Sequence, residues 1–170
     1  MSRGPGRRAS ALGALALALG AAGAGCGDDP SGCKGTQYPD RHGDRVSIAQ
    51  GLWGDVWFWA GDFMPVCASG TVSGVAREIQ VYELTSMGQT EPVGLTFFRS
   101  VNTRRIASVL ADRDGFFKVQ LPPGRYSLFA KEDSLLYANF FDGQANIYPV
   151  AVDSARVTET RFDIDYRATH

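Results

Sequence analysis

Histidine is scarce in this chain: only His42 and His170 occur among its 170 residues. Neither lies between Val46 and Arg167, the stretch in which strand-like patterns follow one another. A serine triad needs a histidine as its base, and a zinc site needs three or four converging His, Cys or acidic ligands. The sequence therefore predicts a protein that is not an enzyme and that holds neither a metal nor an organic cofactor.

Basic clusters are also missing beyond the first few residues. The chain has 17 basic and 18 acidic residues, so it is nearly neutral, and a nucleic-acid partner is not expected. Stretches long enough for an amphipathic helix are lacking as well. A chain of 170 residues has room for one domain with short appendages. These features leave one small domain, built mostly from strands, as the expectation.

The first 25 residues have the pattern of a secretory signal peptide. Three arginines precede an uncharged run of Ala, Leu and Gly over residues 9–25. The run ends in Gly23-Ala24-Gly25-Cys26, which resembles a bacterial lipobox. The resemblance implies cleavage before Cys26 and a lipid on Cys26 that anchors the exported chain to a membrane of the cell envelope, the outer membrane in a diderm bacterium. Two alternatives stay open: ordinary signal cleavage at Ala22-Gly23-Ala24, or an uncleaved membrane anchor.

Residues 26–45 are predicted to form a flexible tether, because they contain little that could be buried. Three cysteines are an odd number for an exported protein. If Cys26 carries a lipid, Cys33 and Cys67 remain as an even pair in an oxidising compartment, which permits a disulfide between them. The alternative is that Cys33 stays a free thiol. Both interpretations stay open, because a bridge depends on the separation of the two Cα atoms.

Residues 46–170 have the pattern of one all-β domain. Apolar residues recur at every second position in about seven short segments, which predicts a β-sandwich of the transthyretin type with strands at 52–59, 70–75 with 78–84, 106–110, 116–121, 126–131, 147–152 and 157–166. The alternation is clearest around the Pro-Pro-Gly turn at residues 122–124, where the residues predicted to face the core are Phe117, Val119, Leu121, Tyr126, Leu128 and Ala130. The polar residues Lys118, Gln120, Ser127 and Lys131 are predicted to fill most of the other face, toward solvent.

Three motifs in this domain resemble the carboxypeptidase regulatory-like domain, a transthyretin-like sandwich. They are Gly54-Asp-Val56, Asp112-Arg-Asp-Gly-Phe-Phe117 and Leu121-Pro-Pro-Gly-Arg-Tyr126. The resemblance implies a non-catalytic accessory module in which these residues form turns and core. Asp112 and Asp114 are predicted to shape a hairpin turn, because a calcium loop would need further oxygen ligands.

The C-terminal Tyr166-Arg167-Ala168-Thr169 faintly resembles a motif of the transthyretin-like enzymes that hydrolyse hydroxyisourate. Those enzymes also use histidines, and the predicted domain lacks them before its last residue, His170. A periplasmic hydrolase of this kind is therefore the less favoured hypothesis.

Three tryptophans, Trp53, Trp57 and Trp59, share one face of a predicted strand with Asp55. Exposed indoles could stack on sugar rings or bind a protein. The alternative is a second small core covered by residues 61–68 or by long loops, since large exposed apolar patches are uncommon on monomers. The favoured hypothesis is a non-enzymatic, lipid-anchored envelope module that acts in binding or as a structural accessory. Its expected partner is an envelope protein, or a glycan if it is a glycan-binding accessory domain.

Overall fold

The computed structural model describes residues 35–65 and 67–170, and within them the chain is almost entirely β-structure. Eleven strands run in the order β1 (Gly51–Asp62), β2 (Thr71–Gly74), β3 (Glu78–Glu83), β4 (Thr90–Val93), β5 (Phe97–Val101), β6 (Arg105–Leu110), β7 (Phe116–Val119), β8 (Gly124–Glu132), β9 (Leu135–Tyr137), β10 (Pro149–Val152) and β11 (Val157–Thr169). Two single-turn 3-10 helices, Gly43–Arg45 and Met87–Gln89, are the only helices in this part of the chain. The predicted all-β class is confirmed.

The strands form two sheets. In the smaller sheet β1 is central: it pairs in parallel with β11 along most of its length, and antiparallel with β7 over its first half and with β2 over its second half. The larger sheet has the order β4-β5-β9-β8-β3-β6, and β10 pairs with the first residues of β8. Its pairs are all antiparallel. The parallel pair of β1 and β11 joins the two ends of the domain.

The main core lies between the two sheets, and strand alternation decides which residues enter it. Fully buried side chains from the smaller sheet meet those from the larger one, among them Leu52, Val56, Phe117, Phe162, Ile164, Ile79, Val81, Leu128 and Tyr137. Each such aliphatic or aromatic side chain contributes about 1.5–3 kcal/mol relative to leaving it in water. The core-facing residues predicted around the Pro-Pro-Gly turn all belong to this cluster or pack against it.

The central strand β8 is buried on both faces, which corrects the prediction that Ser127 faces solvent. Ser127 is fully buried, and its hydroxyl accepts a hydrogen bond from the backbone N–H of Thr85 at 3.0 Å. Beside it, the ring of Phe129 packs edge-on against Tyr82 and Phe98, each at 5.5 Å between ring centroids. The larger sheet therefore has a second aromatic cluster on its outer face, and that cluster breaks the simple alternation of apolar and polar residues.

Strands β4, β5 and β9 are absent from the sequence prediction. β4 is an edge strand that contains Pro92, and its register with β5 shifts between Glu91 and Pro92. Proline is confined to such edges and irregularities because it has no N–H to donate to a neighbouring strand. β9 has only three residues, too few to show a period.

Asp112 shapes the turn before β7, as predicted, but the turn is not a hairpin, because β6 and β7 lie in different sheets. Its Oδ1 accepts the backbone N–H of Asp114 at 3.0 Å and of Phe116 at 3.1 Å, and Gly115 has a φ of +89°, which a side chain would strain. Partial burial works against the charged carboxylate, but these N–H groups and the guanidinium of Arg45 outweigh it. They hold the pKa of Asp112 below its ordinary value.

Asp112→Ala is expected to destabilise the fold by about 1–2 kcal/mol, since it removes two backbone hydrogen bonds and an ion pair. The ion pair contributes less than about 1 kcal/mol because 40% of the Asp112 side chain is exposed and solvent screens it. A depressed pKa stabilises the fold above the pKa of the unfolded chain, and this stability is lost as the pH falls through the folded value. Denaturant unfolding should therefore show a difference in the free energy of unfolding between wild type and variant that becomes smaller in acid. An equal difference at neutral and acid pH would contradict the prediction.

The predicted signal peptide, Cys26 and Cys33 lie outside the described residues. Cys67 is disulfide-bonded, and the chain's other cysteines are Cys26 and Cys33. The pairing of Cys33 with Cys67 stays a prediction. Within residues 35–65 and 67–170, no helix has the length and apolar character needed to cross a membrane.

Candidate functional site

The outer face of β1 contains the tryptophans that the sequence places there. Trp53 and Trp57 are buried, with 8% and 5% of their surface exposed, and Trp59 is half-buried. Asp55, between them on the same face, is fully buried. The face is therefore largely covered, and Trp59 is its most accessible indole.

Residues 38–45, named here the covering segment, lie across this face. The ring of Tyr38 is 6.1 Å from that of Trp57 and 5.7 Å from that of Trp59. The guanidinium of Arg41 lies over Trp53 and Trp57, at 5.6 and 5.7 Å from the ring centroids. The second half of the predicted tether is thus packed on the sheet.

Residues 61–68, expected as one cover of the tryptophans, make a smaller contribution. Phe63 packs against Trp59 with 5.1 Å between centroids, and it also stacks on His170 at 5.7 Å. These rings lie beside Trp59 at the end of β1 and leave the cover of Trp53 and Trp57 to the covering segment. The predicted second small core exists, but the chain before Val46 covers most of it.

A charged cluster fixes the covering segment in place. The Oδ1 atom of Asp55 is 2.6 Å from Nδ1 of His42, and its Oδ2 atom is 3.0 Å from Nε of Arg41. Nη2 of Arg41 also donates to Glu159 Oε1 at 2.7 Å and to the carbonyl oxygen of Thr160 at 2.9 Å. A buried carboxylate is stable only when it is paired, so Asp55 requires Arg41 and His42 to stay where they are.

Sequence reasoning missed the pairing of His42 with Asp55, because it placed His42 in a tether. The one available signal was Asp55 itself, a carboxylate between tryptophans in the middle of a strand. Catalytic histidines are often oriented by a carboxylate in this way. Among the described residues, however, the imidazole of His42 hydrogen-bonds only to Asp55, and its other ring contact is the edge of Phe116 at 6.1 Å. The arrangement resembles a structural hydrogen-bonded pair.

A second charged pair belongs to β11 and lies beside the tryptophans of β1. Nε of Arg161 donates to Asp163 Oδ2 at 2.9 Å, and its guanidinium lies over Trp57 at 5.0 Å and over Trp59 at 6.0 Å. Nε1 of Trp59 donates to Asp163 Oδ1 at 2.9 Å. Nε1 of Trp57, in contrast, is buried with no hydrogen-bond partner in the described chain. The indoles of Trp57 and Trp59 therefore orient Arg161 and Asp163 rigidly.

The pair borders a pocket of about 370 Å³, named here the Phe140 pocket, whose walls include Asn139, Phe140, Tyr148, Val150, Arg161 and Asp163. Phe140 is 53% exposed, and its ring packs edge-on against Tyr148 at 5.8 Å. Tyr148 in turn stacks on the core residue Phe162 at 4.4 Å. Burial, with a smaller effect of the Asp163 charge, raises the pKa of Tyr148, so its hydroxyl stays protonated and donates to the carbonyl oxygen of Arg161.

A second pocket of about 600 Å³ lies at another surface, between Met87, Leu95 and Phe141. Its walls are mostly apolar, and Leu95 at the turn after β4 is 85% exposed. In the loop on its other side, Asp142 Oδ1 accepts the backbone N–H groups of Gln144 and Asn146, both at 2.9 Å. This pocket has no charged pair fixed by aromatic rings.

Comparison with protein-family models, curated proteins and solved structures finds no match for this chain. The resemblance to the carboxypeptidase regulatory-like domain therefore stays a hypothesis. In the described part of the chain, no three His, Cys, Asp or Glu residues converge as metal ligands would. The class of protein that the fold defines is an all-β sandwich with a covered aromatic face and an adjoining polar and aromatic pocket.

Proposed function

We propose that this protein is a non-enzymatic binding or structural module of the bacterial cell envelope, anchored by a lipid on Cys26. The observation that carries the proposal is the short distance along the chain between the predicted anchor and the folded domain. Twelve residues lead from Cys26 to Tyr38, which already contacts the sheet. Even fully extended, they span only about 40 Å. The domain would therefore stay close to the membrane surface.

The glycines of the motifs that resemble the carboxypeptidase regulatory-like domain have structural roles. This supports an accessory module of that type. A side chain at Gly54 would place its Cβ 2.5 Å from the carbonyl oxygen of Thr160 on the neighbouring strand. A side chain at Gly115 would approach the carbonyl oxygen of Val56 to 2.4 Å. Both positions need glycine because another part of the backbone passes close to them. A ligand would therefore be bound by side chains at the surface.

The hydrolase alternative has less support from the same geometry. Tyr166, the first residue of the hydrolase-like motif, donates to Glu132 at 2.8 Å and packs against Phe58 at 5.6 Å. His42 is bound to Asp55 on the outer face of the smaller sheet. Incubation of the purified protein with hydroxyisourate, with His42→Ala as the matched control, tests this directly. Turnover by the wild type that is lost in the variant would overturn the non-enzymatic proposal.

Cys26 is expected to become the lipidated first residue of the mature protein when the gene is expressed in a bacterium. The three arginines, the apolar run and Gly23-Ala24-Gly25 are the signals that the processing enzymes would recognise. Intact mass spectrometry should show a diacylglyceryl addition on Cys26, and the wild type should fractionate with membranes. Cys26→Ser is expected to lose both properties. An unmodified N-terminus, or an uncleaved signal, would contradict the anchor.

A further inference from the structure

We infer that the Phe140 pocket is a carbohydrate-binding site. The inference rests on the proposed function and deepens it, because it gives the binding module a ligand class. The pocket has an exposed aromatic ring on one wall and a fixed pair of opposite charges on another. A sugar ring has the same division, with apolar C–H faces and hydroxyl groups around its edge.

Phe140 supplies the stacking surface. Its ring is 53% exposed, although large aromatic side chains are usually buried, and Tyr148 supports it edge-on from the domain side. Tyr148 is itself anchored by stacking on Phe162 in the core. The ring is therefore presented to solvent on a rigid base, so that binding loses little conformational entropy there.

Arg161 and Asp163 supply the hydrogen bonds. Arg161 donates Nε to Asp163, and the fork of its guanidinium still has other N–H groups to offer. Each carboxylate oxygen of Asp163 accepts one hydrogen bond inside the protein, from Trp59 or from Arg161, and each has a further lone pair. The amide of Asn139 lines the same pocket and can both donate and accept. The hydroxyl groups of a sugar can form hydrogen bonds with all three of these side chains.

Other ligand classes fit these walls less well. A purely apolar ligand would cover Arg161, Asp163 and Asn139 without replacing their hydrogen bonds to water, which is unfavourable. A phosphate or carboxylate ligand would meet Arg161 but also the negative charge of Asp163, only 2.8 Å from the guanidinium. A neutral or weakly charged sugar avoids both problems, and a volume of about 370 Å³ lies within the range of small-molecule sites.

The pocket shares Arg161 and Asp163 with the accessible end of the tryptophan face, which favours an oligosaccharide. Arg161 and Asp163 contact Trp59 as well as lining the pocket, and Trp59 is half-buried. Tyr38, next to Trp59, is 57% exposed. A second sugar ring could stack there while the first occupies the pocket. The tryptophan face would then contribute through its accessible end, at Trp59 and Tyr38.

The test is an array of neutral and N-acetylated oligosaccharides probed with the full mature chain, kept in a detergent that contains no sugar. The wild type is expected to bind at least one oligosaccharide series, and Phe140→Ala should weaken that binding about tenfold or more. Leu95→Ala is the matched control: it also removes an exposed apolar side chain, but at the other pocket. The control should bind like the wild type. Equal melting temperatures for the three proteins would exclude a folding defect.

Two results would overturn the inference. One is a wild type that binds no oligosaccharide on the array, and the other is binding that survives in both Phe140→Ala and Asn139→Ala. A pull-down from envelope extract separates this failure from failure of the proposed function. If the wild type recovers an envelope protein but no glycan, the carbohydrate site is wrong and the envelope module stands.

Discussion

Leu121→Asp is expected to unfold the domain, whereas Gln120→Asp is expected to be nearly silent. Leu121 is 3% exposed and belongs to the core between the sheets, while its neighbour Gln120 is exposed. The core cluster around Leu121 contains apolar residues and tyrosines but no cation that could neutralise a carboxylate. Burying the acid there should cost several kcal/mol, on the order of the 5–15 kcal/mol that stabilises a typical domain.

Thermal melts of the two variants and the wild type check this prediction. Both substitutions introduce the same carboxylate at adjacent positions, so the net charge and the local sequence change equally. Only the burial of the substituted position differs. If the two variants melted at the same temperature, the alternation that places Leu121 in the core just after the end of β7 would be wrong, and with it the placement of Phe117 four residues earlier.

The alternation of apolar and charged residues is clearest in β11. β11 buries Phe162 and Ile164 toward the core and directs Arg161, Asp163 and Asp165 the other way, so its period is visible. β8 is a different case, because Ser127 and Phe129 are as buried as Leu128. Their burial depends on side chains from distant strands, and no local pattern contains that information.

The candidate site was predictable only in part, for a similar physical reason. Alternation alone places Trp53, Trp57 and Trp59 on one face with Asp55. What covers that face depends on Arg41 and His42, which lie in a polar segment with no period. Their placement depends on polar contacts with Asp55 and, for Arg41, with Glu159, and such contacts leave no repeat in the sequence. The Phe140 pocket likewise combines β10, β11 and a loop that only the fold brings together.

Arg41→Ala is expected to destabilise the protein by about 3 kcal/mol, because it leaves the buried carboxylate of Asp55 with His42 as its one remaining partner. It also removes the cation that lies over Trp53 and Trp57. Arg99→Ala is the matched control. Arg99 likewise pairs with a carboxylate, that of Glu91, but both side chains are more than half exposed, and such pairs contribute less than about 1 kcal/mol.

Denaturant unfolding of these variants decides whether residues 38–45 belong to the folded domain. Asp55→Asn added to Arg41→Ala should recover part of the lost stability, since the buried charge that Arg41 neutralises is then gone. The size of the recovery separates the contribution of the ion pair to stability from the contribution of the arginine side chain packed on the tryptophans. If Arg41→Ala unfolded like the wild type, the covering segment would be a free tether, and Trp53 and Trp57 would be open to a partner. If it is destabilised as expected, the accessible part of the aromatic face narrows to Tyr38 and Trp59, beside the Phe140 pocket.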